Sequence, residues 1–379
     1  MLGLGGAERM LADICYELLH RGHSIKVLTL FDPHYSFEKF PNKEKFLTDC
    51  AVEQISMNTR LSIFPPGIKI EAPRYEKILQ EFKPDVIHSH LFQAEILAHS
   101  VFFPNAVYFS HVHDNMFQLE SVFKSGRYKR RWSDFFERAW ILRRYRKFNN
   151  HFIAISKDTL EFSLRVLPRK IRSNVSILRN AFNYKAFSNN IQRSINPNEP
   201  LRLVSIGNLV PKKNHKLLVS VCEQLHKKGI DFRCDILGYG SQEQLQQQIN
   251  LAGLNERVFL RGTVSDVQFY LKYADIYVHP ASYEPFGLVI LEAMAAGLPV
   301  ICRNGQGNLD IHEEGKTGYL IEGDEPEKFA DRIITLMDNP EKYREISAYN
   351  REYCKQYDIS HYCEKLTNIY VQALNKTIS

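Results

Sequence analysis

Short runs of β-branched and aromatic residues alternate along this chain with longer stretches whose apolar side chains recur every three to four positions. The short runs read as strands and the longer stretches as helices with one buried face. Leu11, Ile14, Cys15, Leu18 and Leu19 set the first helix, and Gly22 stops it. Strands are expected at 25–30, 85–88, 107–110, 152–155 and 175–178. Strand and helix in this alternation predict parallel α/β layers.

The segment 183–200 breaks the pattern with Asn, Ser and Pro and reads as a linker. The alternation then restarts, with strands expected at 201–206, 232–237, 258–260, 275–279 and 299–302. Two doubly wound α/β domains follow, at 1–182 and 201–357. The last segment, 358–379, places Ile359, Tyr362, Leu366, Ile369, Tyr370 and Ala373 on one helical face. Its pattern lets either domain cover that face, the N-terminal one included.

Composition narrows the class. A chain of 379 residues is long for one core and comfortable for two. The seven Cys are odd in number, scattered and without a CxxC pair, which points to reduced thiols in the cytoplasm rather than a disulfide framework or zinc ribbon. Glu8 and Arg9 interrupt the start before an apolar leader core forms, so no signal peptide is expected. The most apolar stretch, 281–302, carries Glu284, Glu292 and Pro285 and does not read as a membrane span. A net charge of +6 makes no case for nucleic acid. Its distribution matters more: 124–147 holds ten Lys and Arg against Asp134 and Glu137. Trp132, Phe135, Phe136, Ala139 and Trp140 recur there at helical spacing. A basic amphipathic helix on an anionic membrane surface and a helix packed on the sheet with a solvated basic rim are both consistent with that pattern.

The candidate chemistry concentrates in Ser282-Tyr-Glu-Pro-Phe-Gly-Leu-Val-Ile-Leu-Glu-Ala-Met-Ala-Ala-Gly-Leu-Pro-Val300. A strand ends at His279-Pro280, and Pro285 suits the first turn of a helix because its missing N–H costs nothing there. The amides of Phe286, Gly287 and Leu288 then stand at a helix start, where N–H groups and dipole favour an anion. Glu284 lies in the loop and Glu292 in the second turn, so both carboxylates can flank that anion. A carboxylate accepts two sugar hydroxyls, so a phosphate at the helix start with a ribose beside it fits this layout.

The stretch resembles glycosyltransferase family 4, the retaining enzymes of the GT-B fold, with two Rossmann-like domains facing a cleft. The shared frame is Glu-x7-Glu within E-x-F-G-L and E-A-M-A-x-G-x-P-V. Similar landmarks are Gly5-Gly6-Ala7-Glu8, Pro84-Asp85-Val86-Ile87-His88, Ile206-Gly207 followed by Lys212-Lys213-Asn214, and Gly238-Tyr239-Gly240. The resemblance implies a nucleotide-diphosphate sugar donor, expected to be UDP-linked, with no other cofactor, and a glycan or lipid-linked acceptor. It implies that Glu292 holds the ribose, that Glu284 sits by the donor sugar, and that the amides of 286–288 with Lys213 hold the diphosphate. Gly238 and Lys212 fall at the same site. Asn208 stands where the family usually has Arg, which removes one positive charge. No Asp-x-Asp occurs, so chemistry without a metal is expected.

In the N-terminal domain the family places a His near the donor sugar. His111 and His113 both qualify, and His113 is favoured because Asp114 follows it. His111-x-His113 is also metal-pair spacing, but with no third ligand evident no metal is expected. His88 and His90 read as strand-end or cleft-wall residues. Two other functions stay open: a sugar-nucleotide epimerase of similar shape, and a nucleotide-sugar-binding protein with little turnover. The opening turn matters to the latter. Gly5 and Gly6 are expected to face the donor phosphates, yet the strand that feeds such a turn has no counterpart in Met1-Leu2. The expectation is a truncated start or a sheet with a gap.

Overall fold

The computed structural model describes residues 6–32, 43–62, 67–120 and 132–378. The chain divides into two units, Met1–Asn180 with Ser360–Ser379, and Ala181–Ile359.

The second unit is built on six parallel strands. Along the chain they are β9 (Leu201–Ile206), β10 (Phe232–Leu237), β11 (Val258–Gly262), β12 (Ile276–His279), β13 (Val300–Arg303) and β14 (Gly318–Ile321). Their spatial order is β11-β10-β9-β12-β13-β14. The order reverses beside β9, and in such sheets ligands bind beyond the carboxyl ends of the strands at that point. Leu203, Cys234, Ile236, Ile276, Val278 and Ile301 pack under Leu218, Val221, Cys222 and Leu225 of the helix His215–Lys227. The expected linker is tied down rather than loose. Tyr184–Phe187 forms a helical turn. Arg193 is buried, and its guanidinium donates to the carbonyls of Leu271, Ala274 and Ala296.

The first unit carries four parallel strands in the order β5 (Val86–His90), β6 (Val107–Val112), β7 (His151–Ala154), β8 (Val175–Ile177). Two short strands, β1 (Leu28–Thr29) and β2 (Glu53–Gln54), form a separate parallel pair. A hairpin of β3 (Asn58–Ser62) and β4 (Gly67–Glu71) is antiparallel. Among the described residues no strand pairs with both β1 and β5, so the layer comes in two pieces. Side-chain packing joins them: Leu28, Leu30 and Ile87 all pack on the cluster of Ile55, Tyr75, Ile78, Leu79 and Leu97. The hairpin, β2 and β14 escaped the sequence reading.

The helix Trp132–Lys147 spends Ile141 and Tyr145 on the core, against Phe152, Phe162 and Ile96. Residues 124–131 lie outside the described residues. The helix Ile359–Ile378 belongs to the first unit, where Cys363 and Leu366 are fully buried. No helix among the described residues is long and apolar enough to cross a membrane.

Candidate active site

In the second unit the motif residues gather at the carboxyl ends of β9, β10, β12 and β13. Lys212 and Lys213 occupy a 3₁₀ turn, Pro211–Lys213, just after β9. The Lys212 carbonyl accepts from the Ser282 amide at 2.9 Å and hydroxyl at 3.2 Å, which docks this turn on the loop that follows β12. Lys213 then reaches Glu284, its ammonium donating to Oε2. His279, the last residue of β12, shares a 3.0 Å hydrogen bond with the same oxygen. Burial pushes the Glu284 carboxyl up, but Lys213 and His279 outweigh it and hold the group well below the usual carboxylate range. Burial also lowers His279, against the pull of Glu284. With its proton on Nε2, His279 donates to Glu284, and its Nδ1 accepts from the Tyr277 hydroxyl at 3.1 Å.

The backbone around Glu284 is equally constrained. Its amide donates to the Gly305 carbonyl at 2.8 Å. A Cβ on Gly307 would lie 1.9 Å from the Pro285 carbonyl oxygen, so the 305–308 loop fits only as it stands. Gly287 has φ +104° and caps the helix Leu288–Ala295. The first N–H groups of that helix have no intrahelical acceptor and carry its positive dipole end. Phe286 is buried, and Glu292 is buried on the second turn. Gly238 completes the group. A Cβ there would lie 1.9 Å from the Gly207 carbonyl oxygen, which shows how closely the ends of β9 and β10 approach.

Lys212, Lys213, Gly238, Glu284, Phe286, Gly287, Leu288 and Glu292 thus lie within one unit, on adjoining strand ends and the loops that leave them. Sequence reasoning missed His279 as a partner of Glu284 and missed the 305–308 loop. The five-residue spacing of His279 and Glu284 was visible. That the loop folds back on its own strand end was not.

The first unit holds the other candidates. Gly6 opens the helix Gly6–His20, while Gly5 lies outside the described residues. His111, on β6, is fully buried, and His113 is nearly so. They stack with ring centroids 4.1 Å apart and 3° between planes. His90 and His113 share a hydrogen bond at 2.8 Å. Burial lowers all four imidazoles of His88, His90, His111 and His113, with His111 at about 4, so these rings are neutral near pH 7.

Both units are α/β layers on parallel strands, and the second brings Lys213, His279 and Glu284 together at its strand ends beside the helix start at Gly287. Residues 4–182 match the family model Glycosyltransferase Family 4, and 187–353 match Glycosyl transferases group 1. The chain therefore carries the two domains of a GT-B glycosyltransferase. An uncharacterized glycosyltransferase of Haemophilus influenzae is 30% identical over 195 residues, 48% of this chain and 55% of that protein. The sulfoquinovosyl transferase SQD2 of Arabidopsis thaliana is 28% identical over 301 residues, 76% of this chain and 56% of that protein. The chain spans just over half the length of these two relatives. The crystal structure of Anabaena HepE in complex with UDP and glucose has the same fold. Its TM-score is 0.76 at 19% identity, covering 98% of this chain and 97% of that one.

Proposed function

We propose that the chain is a retaining glycosyltransferase that uses a nucleotide-diphosphate sugar, UDP-linked, and an acceptor that is a glycan or a lipid-linked sugar. Cell-surface polysaccharide or lipopolysaccharide synthesis on the cytoplasmic side of a membrane is the corresponding setting. The observation that carries the reading is Glu284, buried and clamped by Lys213 and His279 beside the helix start at Gly287. When the bond from the sugar to the diphosphate breaks, negative charge grows on the leaving phosphate. A fixed lysine and helix-start amides are in place before the reaction and need no reorganisation to stabilise it. Glu292 supplies a carboxylate for the ribose hydroxyls. No metal is needed at the phosphates in this scheme, because the protein's own cation and dipole take that role. His113 is the candidate next to the sugar in the first unit, ahead of the more deeply buried His111.

In the described part of 124–147, Ile141 and Tyr145 are buried in the core and Trp140 and Leu142 pack against it, while Phe135 is exposed. A membrane surface would then be met by the basic rim of Arg143, Arg144, Arg146 and Lys147. Flotation with anionic liposomes tests this, and no lipid-dependent binding would remove it.

A panel of nucleotide sugars, assayed for release of the nucleoside diphosphate and for transfer to glycan acceptors, tests the main proposal. One donor turned over in preference supports it. Interconversion of the sugar without release would select the epimerase reading. Binding without turnover would select the binding-protein reading.

A further inference from the structure

His88 and His90 are two residues apart on β5, so their side chains project from the same face of the sheet. In the parallel register His90 lies directly opposite His111 on β6. Three imidazoles therefore converge on one patch of one face. A ring nitrogen from each lies within 4.8 Å of the others. The rings touch pairwise, with centroids 4.5 Å apart for His88 and His90, 4.7 Å for His90 and His111, and 5.2 Å for His88 and His111.

The hydrogen bonding around this patch is incomplete. His90 Nδ1 is engaged by His113, and His88 Nδ1 meets the Tyr370 hydroxyl at 2.5 Å. These contacts engage the Nδ1 atom of each ring. His88 Nε2 and both nitrogens of His111 are buried without a hydrogen-bond partner. The Asn180 amide approaches His111 and favours its charged form, yet neither ring nitrogen reaches hydrogen-bond geometry. The Tyr362 hydroxyl is also buried without a partner, and its ring centroid lies 6.5 Å from that of His111. Buried polar atoms are normally satisfied, so several orphans clustered around these three rings call for an occupant.

We propose that His88, His90 and His111 bind a divalent transition metal, zinc in the first instance, with a water in the fourth position near Tyr362. Three imidazoles without thiolate or carboxylate suit zinc, copper or nickel rather than magnesium or calcium. Tetrahedral bonds of about 2.0–2.1 Å to nitrogen set ligand nitrogens about 3.4 Å apart, so the rings close by rotation of their side chains. His113 and Tyr370 then act from outside, each holding a ligating ring through its other nitrogen, which is the usual arrangement around a metal-bound histidine. The ion joins β5 to β6 beneath the helix Ile359–Ile378. It does not rest on the transfer reaction and takes no part in the phosphate chemistry proposed for the second unit.

Tag-free full-length protein, stripped with a chelator and titrated with ZnCl₂ in a calorimeter, is expected to bind one equivalent. Titration with CoCl₂ is expected to give visible d–d bands of a four-coordinate site, abolished by one equivalent of zinc. His88→Ala and His90→Ala, on the partly exposed edge strand, are each expected to weaken binding about 100-fold or more, the upper end of the loss for an outer-shell partner. Absence of the cobalt bands in the wild-type chain overturns the proposal even if a variant fails to fold. Unchanged zinc affinity in both folded variants also overturns it.

Discussion

Lys213 donates to Glu284 across 71 residues of sequence, joining the turn after β9 to the loop after β12. Both ends of this pair are largely buried, at 19% and 9% side-chain exposure. Removing only one partner leaves the other as an uncompensated buried charge, which costs about 3–5 kcal/mol. Lys213→Ala is expected to lower stability by that order and to abolish tight nucleotide binding. Adding Glu284→Gln to Lys213→Ala is expected to restore part of the stability and none of the binding. Urea denaturation and calorimetry on the double-mutant cycle check both. Additive stability losses would show that the two groups are independent.

Glu292 is buried on the second turn of the helix that Gly287 caps. If its carboxylate holds the ribose, Glu292→Ala loses charge-assisted hydrogen bonds of about 1.5–3 kcal/mol, roughly 10- to 100-fold in affinity for UDP. The deoxyribose analogue is expected to bind the variant and the wild type about equally. Unchanged UDP affinity in the variant removes Glu292 from this role.

Gly238 stands where the backbone of one strand end meets the carbonyl of another. An oxygen of the main chain 1.9 Å from a new Cβ cannot swing aside as a side chain would. Gly238→Ala is expected to destabilise the second unit by about 3 kcal/mol or more. A melting temperature within a degree of wild type would show that the strand ends separate easily.

Glu95 is fully buried in the first unit, with its Oε2 accepting from Ser110 at 2.6 Å and from Tyr145 at 3.3 Å. Burial pushes its carboxyl up to about 8, against hydrogen bonds that pull it down. The folded chain therefore keeps a proton that the unfolded chain loses near pH 4.5. That stabilisation is complete below pH 4.5 and disappears as pH rises through 8. Buried His99, lowered to about 4, acts oppositely, costing stability as pH falls below 6.5. Of these two groups, Glu95 is the one that acts between pH 6.5 and 8, at up to about 1.4 kcal/mol per pH unit. Glu95→Gln is expected to flatten stability across that window in urea melts at stepped pH. An equal slope in variant and wild type would locate the effect elsewhere.

Sugar transfer is expected to survive excess EDTA, because Lys213 and the helix-start amides supply the positive charge at the phosphates. Assays run well below the melting temperature separate this from any loss of stability when a metal leaves the first unit. A strict requirement for magnesium or manganese would contradict the scheme.

The hydrophobic periods of the sequence determined the alternation of strands and helices, since a buried face repeats every two or every 3.6 residues whatever surrounds it. The motif from Ser282 to Val300 likewise determined the helix start at Gly287 and the placing of Glu292, because the Pro, Gly and carboxylate positions act within a few residues of one another. Tertiary structure alone decided what touches Glu284. Lys213 and His279 arrive from the ends of different strands, and strand order is not written in local spacing. The same holds for the histidines. The sequence showed no third ligand beside His111-x-His113 and no metal was expected there; only the register of β5 on β6 sets His90 opposite His111 with His88 nearby. Register is a long-range property, fixed by which faces of two strands can be buried together.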